Sequence, residues 1–270
     1  MNRKIIKNLL ILMVGFLFGF VEIPIYKVTY KVKYLPDLLR PDNYNTERVI
    51  LFVENNQGSS YASQNFILKD SMTRAVVENK RDIHELIGDP NFQNLKTAFN
   101  HFITKRYDMQ EIVVTEKVGI DRYRYHQKNN LVWITYPDTL TIKNYLCYKA
   151  QTDYGGRKYT AWYCPEIPIS DGPYKFWGLP GLIMQITDSE KNYSFEIESI
   201  SKYDGSPTEM YNLDKNIFEV SFEKFLAIQK EIKQDPLKPF KDRNLRIIKD
   251  GQDVTNMKRN LPKLNSIEKD

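Results

Sequence analysis

Glu166 and Asp171 lie five residues apart in a stretch dense in proline and glycine, and two carboxylates so placed suit general acid and base work, the chemistry of a hydrolase. Carboxylates beside turns are also ordinary surface charge, and both readings stand at this point. His84, His101 and His126 are far apart in the chain, and each fits a surface or satisfied core position better than a ligand or base. Two cysteines, Cys147 and Cys164, with no histidine near them make an incomplete zinc set, and no Cys-x-x-Cys is present. Glu54 is the single acid near Asn55 to Ser60, too little for a calcium loop. The chain has no Gly-x-Ser-x-Gly elbow, phosphate-binding glycine loop, His-Glu-x-x-His or dinucleotide fingerprint. No cofactor, no metal and no assigned catalytic residue are therefore expected.

The elements that would hold these groups are mostly strands. Aromatic residues make up 13% of the 270, with 18 tyrosines and 14 phenylalanines, a composition suited to pleated, half-buried surfaces. Tyr26, Val28, Tyr30, Val32 and Tyr34 alternate with Lys27, Thr29, Lys31 and Lys33, the period of a strand with one wet face. Val49 to Val53 reads as a buried strand ending in a turn, and Glu111 to Val118, Arg122 to His126 and Leu131 to Tyr136 as successive strands of a meander. Between Asp82 and Ile103 the spacing of Ile83, Leu86, Ile87, Phe92, Leu95, Phe99, Phe102 and Ile103 predicts two helical pieces broken at Asp89-Pro90. Ser221 to Gln234 predicts an amphipathic helix stopped by Pro236. The expected fold is mainly β (α+β), a curved antiparallel sheet of meander hairpins with a few peripheral helices. Residues 22–235 form a single domain, and 236–270 a polar, loosely ordered tail.

Gly155-Gly156 centres a hairpin, because a two-residue primed turn needs positive φ at both positions. Paired positions then sum to 311, which sets Tyr154 opposite Arg157, Asp153 opposite Lys158, Lys149 opposite Trp162, and Cys147 opposite Cys164. Counting outward, the cysteines fall at a non-hydrogen-bonded pair, where Cα atoms approach to about 4.5 Å. A Cys147–Cys164 disulfide fits there, and separate buried thiols are the alternative if a bulge shifts the register.

Export is read from the first 21 residues. Arg3, Lys4 and Lys7 precede an apolar run from Leu9 to Val21, the layout of a signal peptide and shorter than the roughly 20 residues of a membrane-spanning helix, with an uncleaved anchor as the alternative. Such a compartment permits a disulfide. The net charge of +5 falls to +2 without those three basic residues, and no basic face interleaved with aromatics appears, which excludes nucleic acid as a partner.

After the cysteine hairpin comes Pro165 to Ile183, with Tyr174, Phe176 and Trp177 clustered before Gly178-Leu179-Pro180-Gly181-Leu182-Ile183. Leu179-Pro180-Gly181-Leu182 has the signature of a type II turn, and the following strand returns so that Ile186 faces Phe195 and Met184 faces Ile197. The three aromatics either pack a rigid corner over the sheet edge or line a concave face that holds a ligand or partner.

This segment resembles the bacterial envelope proteins named for the hexapeptide GLPGLI, found mainly in the Bacteroidetes. The flanks agree, from Gly156-Arg157-Lys158-Tyr159-Thr160-Ala161-Trp162-Tyr163 through Gly172-Pro173-Tyr174-Lys175-Phe176 to Met184-Gln185-Ile186-Thr187-Asp188. One departure is Cys164, where the family more often has threonine. The resemblance implies an exported, β-rich protein without an established activity, and it extends faintly to the bowl-shaped N-terminal domains of some bacterial peptide-N-glycosidases. The expectation is a periplasmic or envelope protein of a Gram-negative bacterium, touching the membrane only through an uncleaved N-terminal segment. It would act as a non-catalytic binding or accessory module for an envelope protein, such as an outer-membrane transporter, or for a glycan or peptide. Alternatives are an envelope hydrolase using Glu166 and Asp171, and a lipid or lipoprotein carrier.

Overall fold

The structure, a computed structural model, describes residues 25–54, 57–82, 84–205, 217–243, 246, 248–249, 252–253 and 266–268. The expected export segment, residues 1–21, and most of the expected tail lie outside the described residues, as does the side chain of His84. Strands β1 (Ile25–Tyr34), β2 (Asn45–Glu54) and β3 (Gly58–Ser63) lead into helix α1 (Gln64–Glu78) and the short helices α2 (His84–Gly88) and α3 (Pro90–Asn94). A long meander follows, with β4 (His101–Arg106), β5 (Glu111–Val118), β6 (Asp121–Lys128), β7 (Ile134–Ile142), β8 (Tyr145–Tyr154), β9 (Arg157–Cys164), β10 (Leu182–Asp188) and β11 (Tyr193–Tyr203). The short strand β12 (Ile217–Glu219) then precedes helix α4 (Phe222–Gln234).

These strands form one 12-stranded open sheet in the order β12-β6-β5-β4-β3-β2-β1-β11-β10-β9-β8-β7. Every neighbour pairing in it is antiparallel except β12 with β6. The sheet is strongly curved. The rings of Tyr125 on β6 and Tyr154 on β8 lie 5.3 and 6.0 Å from one ammonium group, that of Lys175. Those strands stand second and eleventh in the order. In a flat sheet, at about 4.8 Å per strand, they would be some 40 Å apart.

Each face has its own cover. Val28, Tyr30, Val32 and Tyr34 of β1 point into the bowl and are buried, as their alternation requires. Val49 to Val53 on β2 are all buried because the opposite face is covered by α1, where Phe66 joins Ala62 and Phe102 in a second small core. Ser63 caps α1, its Oγ accepting from Phe66 N at 3.3 Å. Helix α4, capped by Ser221, lays Phe225 against Tyr125 with ring centroids 4.4 Å apart.

The cysteine hairpin has the expected register: Tyr154 pairs with Arg157, Asp153 with Lys158 and Lys149 with Trp162, around Gly155 and Gly156 at φ 53° and 67°. Ile186 likewise pairs with Phe195. Two expectations are corrected. Phe102 and Ile103 belong to strand β4, whose partners Ala62 and Tyr61 on β3 draw the segment into the sheet in place of a helix. Leu179 to Leu182 is not a type II turn. Gly181 N donates to Leu179 O at 2.8 Å, closing a tighter turn about Pro180, while Leu182 N is taken by Ile167 O at 3.1 Å. Cys147 and Cys164, expected as a disulfide, are both free, buried thiols in this structure. The ladder between β8 and β9 ends one pair short of them, at Tyr148 and Tyr163, and the two thiols remain side-chain neighbours. Burial and the neighbouring Cys164 push the Cys147 thiol up to about 11.

Candidate functional site

The loop from Asp171 to Trp177 plunges into the bowl and is held there by a closed ion pair. Lys105 and Asp171 are both fully buried. The ammonium donates to Asp171 Oδ1, to Gly172 O at 2.7 Å and to Phe176 O at 3.2 Å, which uses its three protons. Asp171 also accepts from Tyr107 OH and from Gly172 N at 2.6 Å. Burial, reinforced by the Asp171 charge, holds the Tyr107 phenol far above its ordinary range. Asp171 is thus committed to the loop's anchorage. Glu166 is exposed and borders a separate hollow with Leu146, Tyr148, Tyr163 and Pro165. The two carboxylates do not share a cleft, so the arrangement for acid and base catalysis is not assembled.

Of the three aromatics, Phe176 and Trp177 are core side chains. Phe176 packs on Tyr159, centroids 4.6 Å apart, and Trp177 stacks on Tyr107 at 5.1 Å while its carbonyl accepts from Trp133 Nε1 at 2.9 Å. Their rings present no free face to a ligand. The hexapeptide ties the loop to the sheet: Ile183 N donates to Asp171 O at 2.9 Å, and Tyr30 OH to Ile183 O at 2.8 Å. Gly181, at φ 149°, has no room for a Cβ against the Cys164 carbonyl.

Tyr174 is different. It lines a cavity of about 410 Å³ between the concave face and α4, with Phe99, His101, Tyr125, Phe222 and Phe225 among its walls. Its polar lining comprises His101, Glu116, Gln229, Lys233, Ser266 and Glu268. His101 is 6% exposed, is held neutral with its pKa lowered to about 3 by burial and by the Lys175 charge, and its Nε2 has no hydrogen-bond partner among the described residues. The carboxyl of Glu116 also lines the cavity, and burial raises it to about 7 against the opposing pull of Lys175. Lys175 itself is caged by the rings of Tyr125, Tyr154, Tyr174 and Phe222, all within 6.0 Å of its Nζ. It donates to Gln127 Oε1 at 2.8 Å, Tyr125 OH at 3.3 Å and Glu268 Oε1 at 2.6 Å.

A larger hollow of about 770 Å³, lined by Glu47, Arg48, Asn65 and Glu198 among others, is open, and the three charged groups named are engaged with the chain. Arg48 pairs with Glu198 at 2.6 Å, and Glu47 accepts from Ser63 Oγ and from Ala98 N. His126 is half-exposed beside Glu111 and Glu219. Among the described residues no cluster of three or more His, Cys, Asp or Glu could hold a metal ion, and no helix is long and apolar enough to cross a membrane. Sequence patterns pointed at Tyr174 but passed over His101 as a cavity wall and Lys175 and Glu116 altogether. The one local signal for Lys175 was a lysine set between aromatics, in Tyr174-Lys175-Phe176.

A search of curated proteins finds no match. Among solved structures the chain is similar to PNGF-II in two crystal forms, each at TM-score 0.54 and 13% identity over 78% of this chain and 34% of that one, so it spans about a third of their length. A LolA superfamily protein from Nitrosomonas europaea aligns at TM-score 0.30 and 9% identity over 70% of this chain and 90% of that one. The likeness to PNGF-II is one of fold. A family model described as "Protein of unknown function (Porph_ging)" matches residues 153–185, the stretch that carries the cysteine hairpin's second half, the buried loop and the hexapeptide.

Proposed function

We propose that this protein is an exported, non-catalytic binding module of the cell envelope, and that it holds a small ligand in the aromatic cavity between the concave face of the sheet and α4. The observation that carries the reading is the cavity's make-up: about 410 Å³, walled in good part by Tyr, Phe and His rings, with a buried imidazole nitrogen that has no partner among the described residues. Small-molecule sites fall in the range of roughly 300–1,000 Å³ and combine an apolar lining with a few oriented polar groups. Export rests on the basic and apolar segment at residues 1–21 and on the family resemblance. Catalysis by Glu166 and Asp171 finds no support, since Asp171 is sealed by Lys105 and Tyr107.

The test is a titration of the full chain with 1-anilinonaphthalene-8-sulfonate. Saturable one-to-one binding is expected, weakened at least tenfold by Leu226→Trp, which narrows the cavity from its half-exposed rim on α4. Binding that is unsaturable, or unchanged in that variant, overturns the reading.

A further inference from the structure

Three residues close to the C-terminus, Ser266, Ile267 and Glu268, line the same cavity. Arg157 Nη2 donates to Ser266 O at 2.8 Å and Tyr159 OH to Ile267 O at 3.0 Å. The Glu268 carboxylate receives Lys175 Nζ at 2.6 Å, Tyr154 OH at 3.4 Å and Tyr174 OH. Gly155 makes room for it, because a Cβ on that glycine would stand 2.7 Å from Glu268 Cγ. The groups that hold the three residues, Tyr154, Gly155, Arg157, Tyr159, Tyr174 and Lys175, all fall within residues 153–185, whereas the anion comes from more than ninety positions away.

The chemistry of this corner is specific. A buried ammonium caged by rings leaves an uncompensated charge unless an anion meets it. Among the described residues Glu268 is the carboxylate bonded to it. Two phenol hydroxyls converge on the same oxygen, which favours a carboxylate over a neutral acceptor because hydrogen bonds to an ion are the stronger ones. Glu268 is 18% exposed, so unlike Lys175 it keeps a route to water.

Resting on the reading of this cavity as a ligand site, we propose that Lys175, Tyr154 and Tyr174 form a carboxylate-binding subsite, which Glu268 fills from within the chain. The ligand is an apolar carboxylic acid that takes the place of Glu268, its apolar body lying along Tyr125, Phe222 and Phe225. Such a carboxylate comes either from a free acyl acid or from an apolar peptide.

The experiment is isothermal calorimetry on the full chain and on Glu268→Ala. The probes are dodecanoate, dodecanol, a peptide copying residues 264–270, and that peptide with glutamine in place of Glu268. Dodecanoate or the carboxylate peptide is expected to bind Glu268→Ala at least tenfold more tightly than the unaltered chain, and at least tenfold more tightly than its neutral counterpart. Which of the two does so names the source. Tyr174→Phe added to Glu268→Ala should reduce that preference severalfold, and Lys175→Met, checked for folding by circular dichroism, should abolish it. Acid and neutral probes binding alike overturns the carboxylate subsite and leaves the cavity reading standing. Failure of every probe on both proteins overturns both.

Discussion

Two buried lysines fix one loop, Lys105 from the sheet and Lys175 from within the loop, and they are partnered in opposite ways. Lys105 and Asp171 are both fully buried, and the ammonium's three protons and both carboxylate oxygens are engaged by the surrounding chain. Lys175 is as deeply buried, yet its carboxylate partner reaches it from near the C-terminus, at the wall of a cavity, and keeps contact with water. The first arrangement is closed and can only hold structure. The second has a removable side, and a charge whose partner can leave is a charge that another anion can meet. A buried ion pair therefore reads as architecture or as a site according to whether one partner can withdraw without leaving the fold.

The largest effect should follow from breaking the closed pair. Lys105→Met leaves Asp171 charged and without its cation, and a loss of about 3–5 kcal/mol is expected in chemical denaturation. If Lys105→Met costs no more than Lys175→Met, the contrast between the two lysines collapses. Next comes Glu116, whose folded-state pKa of about 7 lies above the ordinary 4.5 because burial favours the neutral acid. The folded chain keeps that proton while the unfolded chain gives it up, so stability falls as pH rises from 4.5 to 7, and the loss is complete above 7. Glu116→Gln should remove this slope and gain on the order of 2 kcal/mol relative to the unaltered chain at pH 8, allowing for the side chain's partial exposure, with little gain at pH 4. A difference that does not grow with pH would show that the cavity side is not set by this buried acid. The smallest effect belongs to Glu268→Gln, for which a loss of about 1–2 kcal/mol is expected: the buried ammonium loses its carboxylate but keeps Gln127 and Tyr125, and the vacated side is open to water. A loss as large as that of Lys105→Met would make the second pair as closed as the first.

Much of the sheet was legible because strands announce themselves locally. Alternation in β1 and the Gly155-Gly156 turn set register by rules that act over a few residues. The segment around Phe102 and Ile103 defeated that logic, because a short apolar run satisfies helical spacing and strand burial alike, and its partners on β3 decide the outcome. The Lys143-Asn144 turn between β7 and β8, with φ of 49° and 69°, was hidden because lysine gives no sign that it will accept positive φ. Of the candidate site, Tyr174 was visible as part of an aromatic cluster, and its neighbours were not. Lys175 and Glu268 are separated by 93 positions and Lys105 and Asp171 by 66, and nothing in local sequence encodes which carboxylate a lysine will find. The Gly155-Gly156 turn likewise carried its register outward as far as Tyr148 and Tyr163, and Cys147 and Cys164 lie just beyond the end of that ladder as buried, neighbouring thiols.

The free edge of the sheet at β7 has one more consequence. It carries exposed Ile134 and Leu140 along an otherwise open row of backbone groups, the arrangement that invites another chain to add a strand. Pro137 removes a donor from the middle of that row, and the irregularity between Tyr136 and Thr139 breaks its pleat. Addition of another chain's strand along this edge is thereby disfavoured.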